Sequence, residues 1–208
     1  MARTANETRD KLITIGQRLF AEHGVFRVPL RLVIDQAGQK NTSALHYHFG
    51  GREGLLAAII ERHNAGIEDE RADMLASIRA AGSEADIPAV VCSFVMPFAR
   101  KLETSEGREF LRVVAQLSDL FDSWDEGPPN TPAQAHAAMV MVMEAIPDQP
   151  AAVRRERVTT MLMLVSDALA LRARQIDQER PLHLADDVFV RNLIDMSVGA
   201  LRAPSIAE

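Results

Sequence analysis

Residues 37–56 read AGQKNTSALHYHFGGREGLL, and this stretch constrains the fold more than any other part of the chain. It follows a short amphipathic segment ending near Gln36 and turns at Gly38. It then offers small polar residues, two imidazoles and a tyrosine around a single leucine, before Gly50-Gly51 breaks it again. Such a pattern predicts two short helices joined by a tight glycine turn, the second keeping a polar side outward.

The flanking sequence supplies the rest of a three-helix unit. Leu12, Ile15, Leu19 and Phe20 recur at helical spacing behind a cap at Asn6 or Thr8, and Gly24 after His23 is placed as a C-cap. Pro29 opens a second helix with Leu30, Val33, Ile34 and Ala37 inward. Thr42 or Ser43 caps a third, which runs through Leu45 to Phe49. Arg52 begins a long fourth helix with Leu56, Ile59, Ile60, His63, Ile67, Met74, Leu75 and Ile78 on one stripe, ending near Ala81-Gly82. Amphipathic segments follow at about 87–103, 107–122, 132–146, 151–177 and 185–202, with Glu106-Gly107 among the breaks. No strand-like alternation is long enough for a sheet, so the expected fold is all-α with about nine helices. Residues 1–51 form a helix-turn-helix head and 52–208 a helical body.

Composition narrows the possible functions. The chain has 208 residues, 47% hydrophobic but only 5% aromatic, which suits helices built on Ala, Leu, Val and Met. No apolar run is long enough to span a bilayer, and Arg3, Glu7, Arg9, Asp10 and Lys11 do not suit a secretory signal, so a cytoplasmic location is expected. The lone Cys92 sits in VVCSFV, where a buried inert thiol is expected. His136 and His183 have no nucleophile pattern beside them, and no phosphate-cradling loop is present, so no enzyme and no cofactor are expected. His46 and His48, two apart, diverge on a helix and lack acidic or cysteine partners, so no metal is expected. The net charge of −6 is unevenly spread. Residues 1–62 hold nine Lys/Arg against six Asp/Glu, or +3, leaving −9 on the remainder. A basic head on an acidic body keeps attraction for phosphate local.

A helix-turn-helix lets its second helix lie in the major groove while the first braces it. Leu45 and Phe49 then point into the head's core. Arg31, Lys40, Asn41, Thr42, Ser43, His46, Tyr47, His48 and Arg52 are the candidate DNA contacts. Tyr47, His48 and Arg52 suit phosphate oxygens, while Asn41, Ser43 and His46 suit base edges. Arg3, in the N-terminal tail, suits either a minor groove or plain solvent.

With these residues in view, the head resembles the tetracycline-repressor-type (TetR) family of bacterial transcription regulators. The matching elements are Ala37-Gly38, Leu45, His46-Tyr47-His48, Phe49, Arg52-Glu53 and Leu55-Leu56, preceded by LFAEHG at 19–24. Resemblance extends over about residues 8–62. Three departures stand out. Val28-Pro29 replaces the family's usual Thr-Ser, Val33-Ile34 its usual Ile-Ala, and the Gly38-to-Leu45 segment is one residue longer and carries Gln39-Lys40-Asn41. The resemblance implies a ligand-responsive regulator, by default a repressor, that binds a palindromic duplex DNA operator as a homodimer and leaves it when a small, largely apolar effector enters the body.

For the body, Phe94, Phe98, Phe110, Val114, Leu117, Phe121, Trp124, Met139, Met143 and Met161 are candidate pocket residues, since thioethers and rings adapt to varied apolar ligands. The same side chains also suit a plain core. Pro97 either opens a cavity by kinking its helix or only bends it. Arg100, Arg108, Arg112, Arg172 and Arg174 suit a pocket or the surface equally. In the family the last two helices pair across a two-fold axis, which implies Met161, Leu164, Val165, Ala168, Leu169, Leu193, Met196 and Ala200 at a dimer interface. The alternative to a DNA-binding regulator is a helical ligand carrier or protein-interaction module, distinguished by whether the chain retards duplex DNA.

Overall fold

The computed structural model describes residues 2–39, 43–120, 132–146 and 149–204. Among them the chain is all-helical, with nine α-helices: α1 (Ala2–His23), α2 (Leu30–Gln36), α3 (Ser43–Phe49), α4 (Arg52–Ala80), α5 (Ile87–Ala99), α6 (Ser105–Val114), α7 (Ala133–Ala145), α8 (Ala151–Asp177) and α9 (Asp186–Arg202). Two 3₁₀ turns, Arg100–Glu103 and Ala115–Leu120, extend α5 and α6.

The sequence boundaries hold for most elements, with two corrections. Helix α1 starts at Ala2 rather than behind a cap at Asn6 or Thr8. The break expected at Glu106-Gly107 falls at Thr104, whose hydroxyl accepts the Gly107 N–H at 3.0 Å and so caps α6. The 107–122 segment accordingly begins at Ser105 and tightens to 3₁₀ at Ala115.

Buried side chains form two clusters. The smaller joins α1, α2 and α3 through Leu12, Leu19, Phe20, Val33 and Leu45, and it also takes in Leu55, Leu56 and Ile59 of α4 and Val113 and Leu117 of α6 and its extension. The head's core therefore reaches beyond residue 51. The larger cluster fills the body between α4, α5, α7, α8 and α9, with Phe94, Met139, Met161, Leu169 and Leu193 among its members.

Pro97 lies within α5 and has no N–H to give the Ser93 carbonyl. That carbonyl instead accepts Arg71 Nε at 3.1 Å. At the other end of the body, Asp177 at the foot of α8 is gripped by Arg108 Nε at 2.5 Å and Arg112 Nη2 at 3.2 Å. Arg172 fastens the α8–α9 turn to Asp186 and to the Leu184 carbonyl.

Candidate nucleic-acid interface

Gly38, at φ 70°, makes the turn between α2 and α3, a conformation that a side chain with a Cβ resists. Leu45 is the residue of α3 buried in the head's core. Helix α3 then runs into α4 so closely that a Cβ at Gly54 would stand 1.8 Å from the Phe49 carbonyl oxygen, so only glycine fits there. A groove of about 470 Å³ lies over this junction, from Phe49 to Gly54.

The candidate contacts fall into distinct environments. Tyr47 is 83% exposed, with its ring edge-on to His48 at 5.1 Å. Ser43 and His46 are exposed, while His48 is half-buried. His46 Nδ1 lies 3.0 Å from the Gly50 carbonyl and donates to it in the tautomer protonated there, which ties α3 to the following turn. Arg31 is exposed on α2 beside Asp35, at 3.9 Å. Lys40, Asn41 and Thr42 lie outside the described residues, as does the side chain of Arg3.

Arg52 departs from the phosphate role expected of it. Its guanidinium turns inward, donating to the Val25 carbonyl and, at 2.6 Å, to the Val28 carbonyl, with its cation 5.6 Å from the Phe20 ring centre. Within the loop the Gly24 and Pro29 carbonyls accept backbone N–H groups, and the planar fork of Arg52, with several donors, suits the carbonyls of Val25 and Val28. Arg52 thus pins the loop between α1 and α2 against the start of α4.

Three further polar residues lock the head to the body, and of these only His63, on the inward stripe of α4, was evident from local pattern. Gln116 Oε1 accepts the Val25 N–H at 2.8 Å, and its Nε2 donates to the Phe20 carbonyl at 3.2 Å. Gln17 is 1% exposed and donates to the Glu106 carbonyl at 2.8 Å and to Glu109 at 3.3 Å. Its own carbonyl oxygen accepts His63 Nε2 at 2.8 Å, and the imidazole stacks on Phe110 with centroids 4.3 Å apart. Burial, then nearby Lys101, lowers the His63 pKa to about 4, so the ring is neutral. Phe26, 69% exposed in the same loop as Arg27, was also not anticipated. Long-range partners leave no signature in local periodicity.

The candidate pocket residues gather only in part, with Phe98 and Phe110 stacked at 6.1 Å. Phe94, Met139 and Met161 are packed in the larger cluster, with Phe98 and Met143 against it. Leu117 belongs to the head's cluster instead, and Phe110 lies under His63. Val114 is half-buried. Phe121 and Trp124 lie outside the described residues.

Four of the eight expected dimer residues require correction. Met161, Leu169 and Leu193 are at most 2% exposed and Val165 is 5% exposed, so they face the protomer's own core. Leu164 and Ala168 are half-buried, while Met196 and Ala200 are exposed. The exposed apolar side chains on these elements are Met163, Leu171, Val188 and Met196. A groove of about 310 Å³ also runs between α8 and α9, lined by Ala152, Val153, Glu156, Arg157, Thr160 and Ala200.

No family profile and no curated protein matches the chain. Among solved structures, one described as the molecular basis for control of antibiotic production by bacterial hormones is 22% identical, covers 95% of this chain and 98% of its own, and has a TM-score of 0.50. A gamma-butyrolactone receptor (ArpA-like protein) is 17% identical over 95% and 98% of the two chains, with a TM-score of 0.49. A TetR-family transcriptional regulator from Pectobacterium atrosepticum is 18% identical over 98% of each, with a TM-score of 0.43. The likeness to the first of these is one of fold, and it runs nearly the whole length of both chains.

Proposed function

We propose that this chain is a ligand-responsive transcription regulator of the tetracycline-repressor type. Its head binds a palindromic operator and its body releases that operator when a small apolar effector enters. The observation that carries this reading is the 37–56 signature: it folds as a helix-turn-helix with Leu45 buried and Tyr47 83% exposed, on a fold of regulator length. Arg31, Ser43 and Tyr47 supply exposed contacts, with Lys40, Asn41 and Thr42 just before α3 in the sequence and His46 and His48 beside them. Arg52 shapes the interface without touching DNA.

Two copies joined through α8 and α9 would present two heads to successive major grooves about 34 Å apart. Met163, Leu171, Val188 and Met196 are the side chains available for that contact. Repression is the default mode, and the protein works in the cytoplasm, where its DNA is. It does no chemistry of its own.

Gel retardation with a duplex from upstream of the chain's own gene tests the reading. Retardation should weaken as salt rises, and Arg31→Glu should weaken it on every sequence. Substitution at Asn41 should instead change which sequences bind. A chain that retards no duplex at low salt, yet binds apolar ligands, would be a carrier rather than a regulator.

A further inference from the structure

Among the described residues, the two most exposed of the large apolar and aromatic side chains are Tyr47, at 83%, and Phe26, at 69%. Both belong to the head. Tyr47 sits on α3, where exposure is expected of a helix that meets a duplex. Phe26 sits in the loop between α1 and α2, where no helical face asks for an exposed ring.

That loop is a fixed base. Arg52 holds the carbonyls of Val25 and Val28, the residues on either side of Phe26-Arg27. Gln116 holds the Val25 N–H at 2.8 Å, and the Gly24 carbonyl accepts the N–H groups of Arg27 at 3.2 Å and Val28 at 3.3 Å. Val25 and Val28 are at most 1% exposed, so the turn is rooted in the head's core. These anchors are backbone groups and buried valines, and they leave the two side chains between them outside. A side chain presented from such a base loses little freedom when something covers it.

Arg27 shares the exposure. Its stem runs beside Gly24, with Cδ 3.5 Å from where a Cβ would stand, and its guanidinium has no acceptor among the described residues. An uncovered ring and an unmatched cation thus stand next to each other on one rigid turn.

Position and charge together select what covers them. Arg52 is the first residue of α4, so it ties this loop to the point where α3 ends, across Gly50-Gly51. The loop also runs directly into α2, where Arg31 is exposed and only loosely paired with Asp35, at 3.9 Å. Phe26 therefore lies among cations, in the part of the chain whose net charge is +3 against −9 for the remainder. An apolar protein surface would suit the ring and leave Arg27 unmatched. A duplex suits both, because each phosphate adjoins a deoxyribose with an apolar carbon face.

We propose that Phe26 and Arg27 make a DNA contact of their own, apart from those of α2 and α3. Arg27 takes a backbone phosphate, and the Phe26 ring lies against the adjoining deoxyribose. Neither group reads a base edge, so the pair raises affinity without choosing sequence. This rests on the regulator reading above and adds a contact which that reading does not include.

Fluorescence anisotropy of the full chain tests it, with the duplex from upstream of its own gene and a scrambled duplex of the same length, across a range of salt. Phe26→Ser should weaken binding about tenfold on both duplexes, with the slope of log affinity against log salt unchanged. Phe26→Leu, which keeps apolar surface, should recover most of that loss. Arg27→Gln should instead reduce the salt slope by about 1 for each copy bound. Melting and sedimentation of the free protein should match the wild type in all three, since neither side chain is buried in the protomer. Wild-type affinity in Phe26→Ser, an unchanged slope in Arg27→Gln, or a loss on one duplex alone would each overturn the contact. So would a change in sedimentation that accompanies the loss, because the ring would then cover a second copy of the chain. If the wild-type chain binds neither duplex at low salt, the regulator reading falls and the contact with it. If it binds and the variants match it, only the contact falls.

Discussion

The head and the body are both helical, but they are held together differently. In the head, α1 and two short helices are pinned by hydrogen bonds that arrive from elsewhere: Arg52 from α4, Gln116 from the extension of α6, and His63 reaching Gln17. In the body, long helices bury a broad apolar surface, and several of its charged residues close ends and turns, at Asp177 and Asp186. A body of that kind tolerates local repacking. The head depends on a few directional contacts, each made by a residue whose loss is felt some distance away.

The largest effect should come from placing charge in the body's core. Met161 is 0% exposed and Met196 is 51% exposed, though both lie on the last two helices and both share the apolar periodicity. Met161→Glu should abolish folding, since burying an unpaired carboxylate costs several kcal/mol. Met196→Glu should leave the protomer's circular dichroism and melting unchanged and shift sedimentation toward the monomer. If Met161→Glu folded and only dissociated, the inward placement of that residue would be wrong.

Next in size is Arg52→Ala. Two carbonyls would lose a charged donor and Phe20 would lose its cation, for a loss of about 2–3 kcal/mol. Melting temperature should fall and DNA affinity with it. Arg31→Ala, exposed and only loosely paired, should leave melting within experimental scatter and reduce the slope of log affinity against log salt by about 1. The two arginines thus separate shaping an interface from touching DNA.

This division also marks what local sequence can and cannot say. The bounds of α2, α3, α4 and α8 follow from proline, glycine and hydrophobic spacing, because those signals act within a few residues. So does the exposure of Tyr47 against the burial of Leu45. The inward turn of Arg52 was hidden, because its acceptors lie 27 and 24 residues away. Gln17, Gln116 and Arg71 were hidden for the same reason. On α8 and α9 the apolar stripe was read as an interface, but periodicity reports which side is apolar, not whether a neighbour in the same chain or in another one covers it. Here the same chain covers most of it.

A smaller effect belongs to the joint between the two regions. With its folded pKa lowered from 6.5 to about 4 chiefly by burial, His63 takes up its proton more readily in the unfolded chain. Stability contributed by the neutral ring is therefore fully present above about pH 6.5 and lost as pH falls toward 4, on the order of 3 kcal/mol in all. Glu109, whose pKa burial raises, works in the opposite sense, because its proton leaves the unfolded chain first as pH rises. The wild-type melting temperature relative to that of His63→Gln isolates the histidine. That difference should shrink between pH 7 and pH 4.5, and a constant gap would mean that the ring is not neutral in the fold.

The smallest predicted effect concerns Tyr47 alone. Its ring touches His48 edge-on and is otherwise open to solvent, so nothing in the protomer depends on its hydroxyl. Tyr47→Phe should therefore leave melting unchanged. If the hydroxyl donates to a phosphate oxygen, operator binding should weaken by about 1 kcal/mol, equally on every sequence, because phosphate contacts carry no base information. A loss confined to particular operator bases would place the ring in the groove as a reader of base edges. No loss at all would mean that α3 meets the duplex through its N-terminal end and not through its middle, leaving the head's fold intact but rotating it on the DNA.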